Sequence, residues 1–108
     1  MKRYMVIGCA TCETYEFMKK QTDEDKKEMM KRWMLWKEKY QEYVLDMGSP
    51  LLDGTSVNRD GMYDSYKQIA GFMMIQAEDK EEALTMLESS PLYDFNAGSY
   101  FEIFECMI

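Results

Sequence analysis

In Gln68-Ile69-Ala70-Gly71-Phe72-Met73-Met74-Ile75-Gln76-Ala77, apolar side chains occur at both odd and even positions. A strand sends alternate residues to opposite faces. Ile69, Gly71, Met73 and Ile75 therefore take one face, and Ala70, Phe72, Met74 and Gln76 the other. A strand that is apolar on both faces is one covered on both. Asn58-Arg59-Asp60-Gly61 gives a strong turn signal just upstream. Downstream, Asp79-Lys80-Glu81-Glu82 has the form of a capping box, with Asp79 as N-cap and Glu82 at the third helical position. This predicts a helix over 79–89, buried through Ala83, Leu84, Met86 and Leu87 and ended by Ser89-Ser90-Pro91. A loop over 92–98 then leads to a last strand over 99–106.

Nearer the start, Arg3 to Cys9 reads as a first strand, again apolar on both faces: Tyr4, Val6 and Gly8 against Met5 and Ile7. Residues 10–21 lack clean periodicity and read as a loop with a short helical turn. Thr22-Asp23-Glu24-Asp25 opens a long helix with a cap and acidic residues at its positive end. The positions Met29, Trp33, Trp36, Tyr40, Tyr43 and Met47 form one continuous helical stripe. That spacing predicts a helix running to Gly48-Ser49-Pro50, with Gly48 as its left-handed cap. A second strand is expected over 51–58, interrupted at Gly54.

The order strand, helix, strand, strand, helix, strand is the split βαβ arrangement of a ferredoxin-like α+β domain. Right-handed crossovers put both helices on one face of a four-stranded antiparallel sheet. The other face would then expose an apolar patch beyond that normal for a monomer. A second copy packed sheet to sheet is the simplest cover, so a homodimer is expected. The competing arrangement is a monomer whose 10–21 and 92–98 segments fold over the sheet.

Composition sets the outer limits. The 108 residues form a single domain, 1–108, and the 46% hydrophobic and 14% aromatic content excludes disorder. A net charge of −7 disfavours nucleic acid and anionic membrane surfaces as partners. No apolar run approaches a membrane span, and the apolar run after Lys2-Arg3 is too short for a signal-peptide core. Three cysteines form no dense disulfide framework, so a cytoplasmic location is expected. The 12 methionines suit an irregular core or an adaptable pocket.

The chain contains no histidine. That removes Ser-His-Asp and Cys-His arrangements and His-based metal sites, leaving carboxylate, thiol, phenol and lysine chemistry. Cys9-Ala10-Thr11-Cys12 is the sharpest local motif. Its spacing suits a redox pair or two metal-binding thiolates, with Cys106 as a third, against the simpler reading of small half-buried side chains. No complete metal-ligand set and no cofactor fingerprint emerge, so neither is expected. Trp33, Trp36, Tyr40 and Tyr43 form an aromatic stripe, better explained as core than as a stacking site. Glu102 and Glu105 lie on a strand expected to be half buried, where a carboxylate would be paired or raised in pKa; an exposed strand end is the simpler alternative.

Asp60-Gly61-Met62-Tyr63, followed by Gly71-Phe72, resembles the Asp-Gly-Pro-Phe segment and Gly-Gly-Phe strand of the YCII-related (DGPF) family. Lys2-Arg3-Tyr4-Met5-Val6, Trp36 and Tyr40 before Gly48 and Leu51-Leu52, Asp79-Lys80-Glu81-Glu82-Ala83, and Tyr100-Phe101-Glu102-Ile103 are similar to its other elements in the same order. The resemblance implies a ferredoxin-like fold, a dimeric α+β barrel and an activity resting on a His paired with an acidic residue. This chain departs from that pattern in lacking His, in Met62-Tyr63 for Pro-Phe, and in Phe104-Glu105 where Arg-Pro often follows the last Glu. The fold carries over better than the chemistry.

By that resemblance Asp60 is the expected acid–base or anchoring residue, against the simpler reading of Asp-Gly as turn chemistry. Asp64, Tyr66 and Glu102 are the expected ligand-binding residues. The expected function is binding of a small organic molecule in a cleft of the dimeric barrel, between sheet and helices, with or without cofactor-free chemistry. The alternatives are a non-catalytic dimeric interaction module and a thiol redox or metal protein using Cys9 and Cys12.

Overall fold

Residues 69–77 do form the central strand. The structure is a computed structural model, and it describes residues 1–11, 16, 17, 19–51, 54–64, 69–91 and 99–108. Its elements are β1 (Lys2–Cys9), α1 (Asp23–Lys39), β2 (Val44–Pro50), β3 (Thr55–Asn58), β4 (Gly61–Asp64), β5 (Ile69–Ala77), α2 (Lys80–Glu88) and β6 (Tyr100–Glu105). One four-stranded sheet has the order β2-β5-β1-β6, and β3 and β4 form a separate hairpin. All neighbours in the main sheet are antiparallel. With the hairpin set aside, this is the expected ferredoxin-like α+β topology. Among the described residues no helix is long and apolar enough to cross a membrane.

Both helices lie on the same side of the sheet. Tyr4 and Val6 of β1 and Met73, Ile75 and Ala77 of β5 meet Trp36 of α1 and Ala83, Met86 and Leu87 of α2 in one buried cluster. Phe101 and Ile103 of β6 pack against its margin. The Trp36 indole donates to the Met86 carbonyl at 3.0 Å, which ties the two helices together at a polar atom that would otherwise be buried without a partner.

The caps are as their residues require. Thr22 accepts from the Asp25 N–H at 3.1 Å, and Asp25 accepts from the Thr22 N–H at 3.0 Å, a reciprocal box. Asp79 accepts from the Glu82 N–H at 2.9 Å and caps α2, but Glu82 does not return the bond, so the capping box expected there is only half formed.

Two boundaries differ from expectation, for one reason. The helix ends at Lys39, and the second strand of the sheet is 44–50 and not 51–58. Gly48 is a strand residue with φ +66, not a helix cap. It sits at a register shift between Asp46 and Ser49. The Asp46 carboxylate accepts the Gly48 N–H at 2.8 Å and supports the local kink. Tyr43 and Met47 still pack on the core, but from the turn and from β2, so the helical stripe continues in space after the helix has stopped. Residues 55–58 are a strand, but of the hairpin.

Among the described residues, α1 and α2 both pack on the face that carries this core, and neither covers the opposite one. Register places Met5 beside Met74 and Phe104, and Ile7 beside Phe72 and Glu102. Met5, Ile7, Phe72 and Met74 are half-buried and Phe104 is exposed. Much of the 10–21 segment and all of 92–98 lie outside the described residues.

Candidate functional site

At one end of the open face, β1 and β6 bring three polar side chains together. Cys9 stands directly opposite Tyr100, and Glu102 opposite Ile7, one step along the same face. Period-two alternation in two antiparallel strands is enough to produce this grouping. Cys9 is buried, while Tyr100 and Glu102 are exposed. Glu102 is therefore not the half-buried carboxylate expected, because β6 is an edge strand and the helices cover only its other face.

Burial pushes the Cys9 thiol above its ordinary pKa, and the Glu102 carboxylate pushes it the same way; a hydrogen bond with Tyr100 acts in the opposite direction. The neighbouring Cys9 sulfur, with a smaller effect of burial, raises the Tyr100 phenol as well. A thiol held protonated is a weak nucleophile and a poor metal ligand. The Cys9 thiol donates to the Ile7 carbonyl at 3.9 Å, so the group offers a phenol that can donate or accept and a carboxylate acceptor. Next to it lies an apolar floor of Ile7, Phe72, Met5 and Met74.

The other expected site residues are dispersed. Cys12 and Tyr66 lie outside the described residues. Cys106 donates its N–H to the Arg3 carbonyl at 2.8 Å, so it lies at the far end of β1 from Cys9. Six strand residues span about 20 Å, and Cys106 therefore cannot complete a thiolate site with Cys9. Among the described residues no group of three or more His, Cys, Asp or Glu side chains is placed to hold a metal ion. Asp60 is exposed at the tip of the β3–β4 turn, its N–H bonded by the Asn58 side chain at 2.8 Å. Asp64 ends β4 opposite Thr55 and is also exposed. Both belong to the hairpin and not to the sheet that carries Cys9 and Glu102. Glu105 pairs with Lys2 at 3.5 Å at the other end of that sheet.

Among the described residues, no cleft opens between sheet and helices. Tyr4, Val6, Ile75 and Leu87 fill that space and are essentially inaccessible. The aromatic stripe belongs to this core, with Trp33 edge-on to Trp36 at 5.6 Å and to Phe101 at 6.5 Å. Tyr100 was not singled out by the sequence. Its shared parity with Glu102 at the start of the last strand is the signal that would have found it.

The model of the YCII-related domain family matches residues 4–106. None of the curated proteins matches the chain. Among solved structures, the chain is similar to 5-chloro-2-hydroxyhydroquinone dehydrochlorinase (TftG) from Burkholderia phenoliruptrix AC1100, solved in complex with 2,5-dihydroxybenzoquinone. The identity is 13%, the TM-score 0.53, and the match covers 94% of this chain and 91% of that one. At that identity the likeness is one of fold.

Proposed function

The chain belongs to the YCII-related domain family, and from that premise we propose that it binds a small organic molecule on the open face of its sheet, at the Cys9–Tyr100–Glu102 end, within a homodimer whose sheets face each other. The observation that carries this reading is the juxtaposition of an apolar floor with three polar side chains at its margin. Binding sites pair apolar walls with a few convergent polar groups in this way. The margin is the mouth of a facing-sheet dimer, where water still reaches the Glu102 carboxylate and no charge has to be fully buried.

The ligand class follows from the groups. Glu102 accepts from a hydroxyl, Tyr100 donates to a carbonyl or hydroxyl oxygen, and Phe72 and Ile7 take a planar apolar body. The ring bound to TftG, a small hydroxylated quinone, is of this kind. Turnover, where it accompanies binding, would use Glu102 as base and Tyr100 as acid, because the chain has no histidine. The His-dependent chemistry of the family has no counterpart here. The packed interior between sheet and helices favours a second reading, a dimeric interaction module without a ligand.

Titration calorimetry with 2,5-dihydroxybenzoquinone and a panel of dihydroxybenzenes separates the two. Glu102→Gln should weaken binding about tenfold or more, and Tyr100→Phe about threefold to tenfold, with unchanged circular dichroism. Wild-type protein that binds no member of the panel, or variants that bind as wild type does, would overturn the binding reading in favour of the module.

A further inference from the structure

The outer surface of α1 differs in charge from the rest of the molecule. The chain has 13 Lys and Arg against 20 Asp and Glu. Residues 26–39 hold six of those cations and only two of the carboxylates, Glu28 and Glu38, which leaves seven against 18 everywhere else. The acidic residues Asp23, Glu24 and Asp25 stand in the first turn, where the positive end of the helix dipole holds them. Of the six cations, Arg32 pairs with Glu28 at 3.5 Å. Lys26, Lys27, Lys31, Lys37 and Lys39 form no ion pair among the described residues. An excess of positive charge therefore sits on an otherwise acidic protein, and little of it is neutralised within α1.

The same surface carries apolar side chains. Trp36 turns inward to the core, while Met30, Met34 and Leu35 stay 66%, 55% and 58% exposed. Met30 and Met34 are one turn apart and are neighbours on the helix surface. Two hollows meet at Leu35. One, of about 290 Å³, lies between α1 and the residues just after α2, lined by Arg32, Leu35, Trp36, Lys39, Ser89 and Pro91. The other, of about 460 Å³, runs along the outer crest of α1 past Lys31, Met34 and Lys37. In the first, Arg32 and Lys39 bracket Leu35 and Trp36 and stand about 10.5 Å apart along the helix axis. Its wall is held in place: the Ser89 hydroxyl donates to the Met86 carbonyl at 2.8 Å, the same carbonyl takes the Trp36 indole, and the Tyr40 hydroxyl lies 3.0 Å from that of Ser89.

Charge and dimension identify the occupant. The basic strip over 26–39 is about 21 Å long at the helical rise. A nucleic acid duplex or an anionic bilayer extends past it and meets the acidic remainder of the surface, which repels it. A short acidic segment does not. A helix with an apolar residue between two carboxylates, at i, i+4 and i+7, matches the groove between α1 and α2. Its apolar side chain enters the hollow over Leu35 and Trp36. Its carboxylates reach Lys39 and Arg32, whose guanidinium has further donors beyond the one facing Glu28. We propose that this groove is a docking site for an acidic amphipathic helix of another protein. It lies on the helix side of the sheet, away from Cys9, Tyr100 and Glu102, and is independent of the ligand and dimer readings above.

Fluorescence anisotropy with the full chain tests this, using a labelled alanine-based helical peptide with a leucine midway between two glutamates seven residues apart. Wild type should bind it saturably, and raising NaCl from about 0.05 to about 0.3 M should weaken binding about fivefold or more. A twin peptide with lysine in place of both glutamates should not bind. Leu35→Ser and Arg32→Gln/Lys39→Gln, all at exposed positions, should each weaken binding about tenfold, with unchanged circular dichroism. Failure of the acidic peptide to bind, equal binding of its lysine twin, or variants that bind as wild type does would overturn the proposal. Co-sedimentation with phosphatidylserine vesicles is the last arm. Vesicles that carry down wild type but not Arg32→Gln/Lys39→Gln would assign the strip to a membrane surface instead.

Discussion

A thiol becomes a nucleophile only on losing its proton, and the surroundings of Cys9 hold that proton on. Burial and the Glu102 carboxylate both raise its pKa in the folded chain. The Tyr100 phenol is shifted in the same direction. A folded-state pKa above the unfolded value gives a stabilising contribution that is complete below the unfolded pKa and lost as pH rises through the folded one. The window therefore lies on the alkaline side. In a Cys12→Ser/Cys106→Ser background, ultraviolet titration of the remaining thiol should give a midpoint above the ordinary 9.0. Glu102→Gln should bring that midpoint down. A midpoint at or below 9.0 would contradict the assigned environment.

At the scale of elements, Gly48 shows what the sequence made legible and what it did not. The central strand, the first and last strands and the second helix were readable because local alternation and caps report directly on period and boundary. The end of α1 was not. A Gly after an apolar helical stripe satisfies a helix cap and a strand bulge equally well, since both use positive φ. Only pairing with β5, a contact distant in sequence, distinguishes them. The candidate site was hidden in the same way. Glu102 and Cys9 were visible as residues, but their meeting with Tyr100 depends on the register of β1 against β6. Gly48→Ala follows from the strand assignment. A Cβ there would lie 1.8 Å from the Phe72 carbonyl oxygen, on a backbone with φ +66. Strain and displacement together should cost at least about 2 kcal/mol, read by urea denaturation. An undiminished midpoint would mean that β2 does not carry this bulge.

For the whole molecule the sheet's two faces set the problem. One is sealed by α1 and α2 through Trp36, Ala83, Met86 and Leu87. The other carries Met5, Ile7, Phe72, Met74 and Phe104. Burying such side chains is worth roughly 25 cal/mol per Å², an incentive that a second identical surface satisfies by twofold symmetry. The proposed ligand site at the mouth of the pair depends on that association. The most direct measurement is the mass in solution by light scattering at high micromolar concentration. A particle of twice the 12.9 kDa chain mass, returned to a single chain by Phe104→Asp, is the predicted result. A wild-type particle of 12.9 kDa under the same conditions would contradict it.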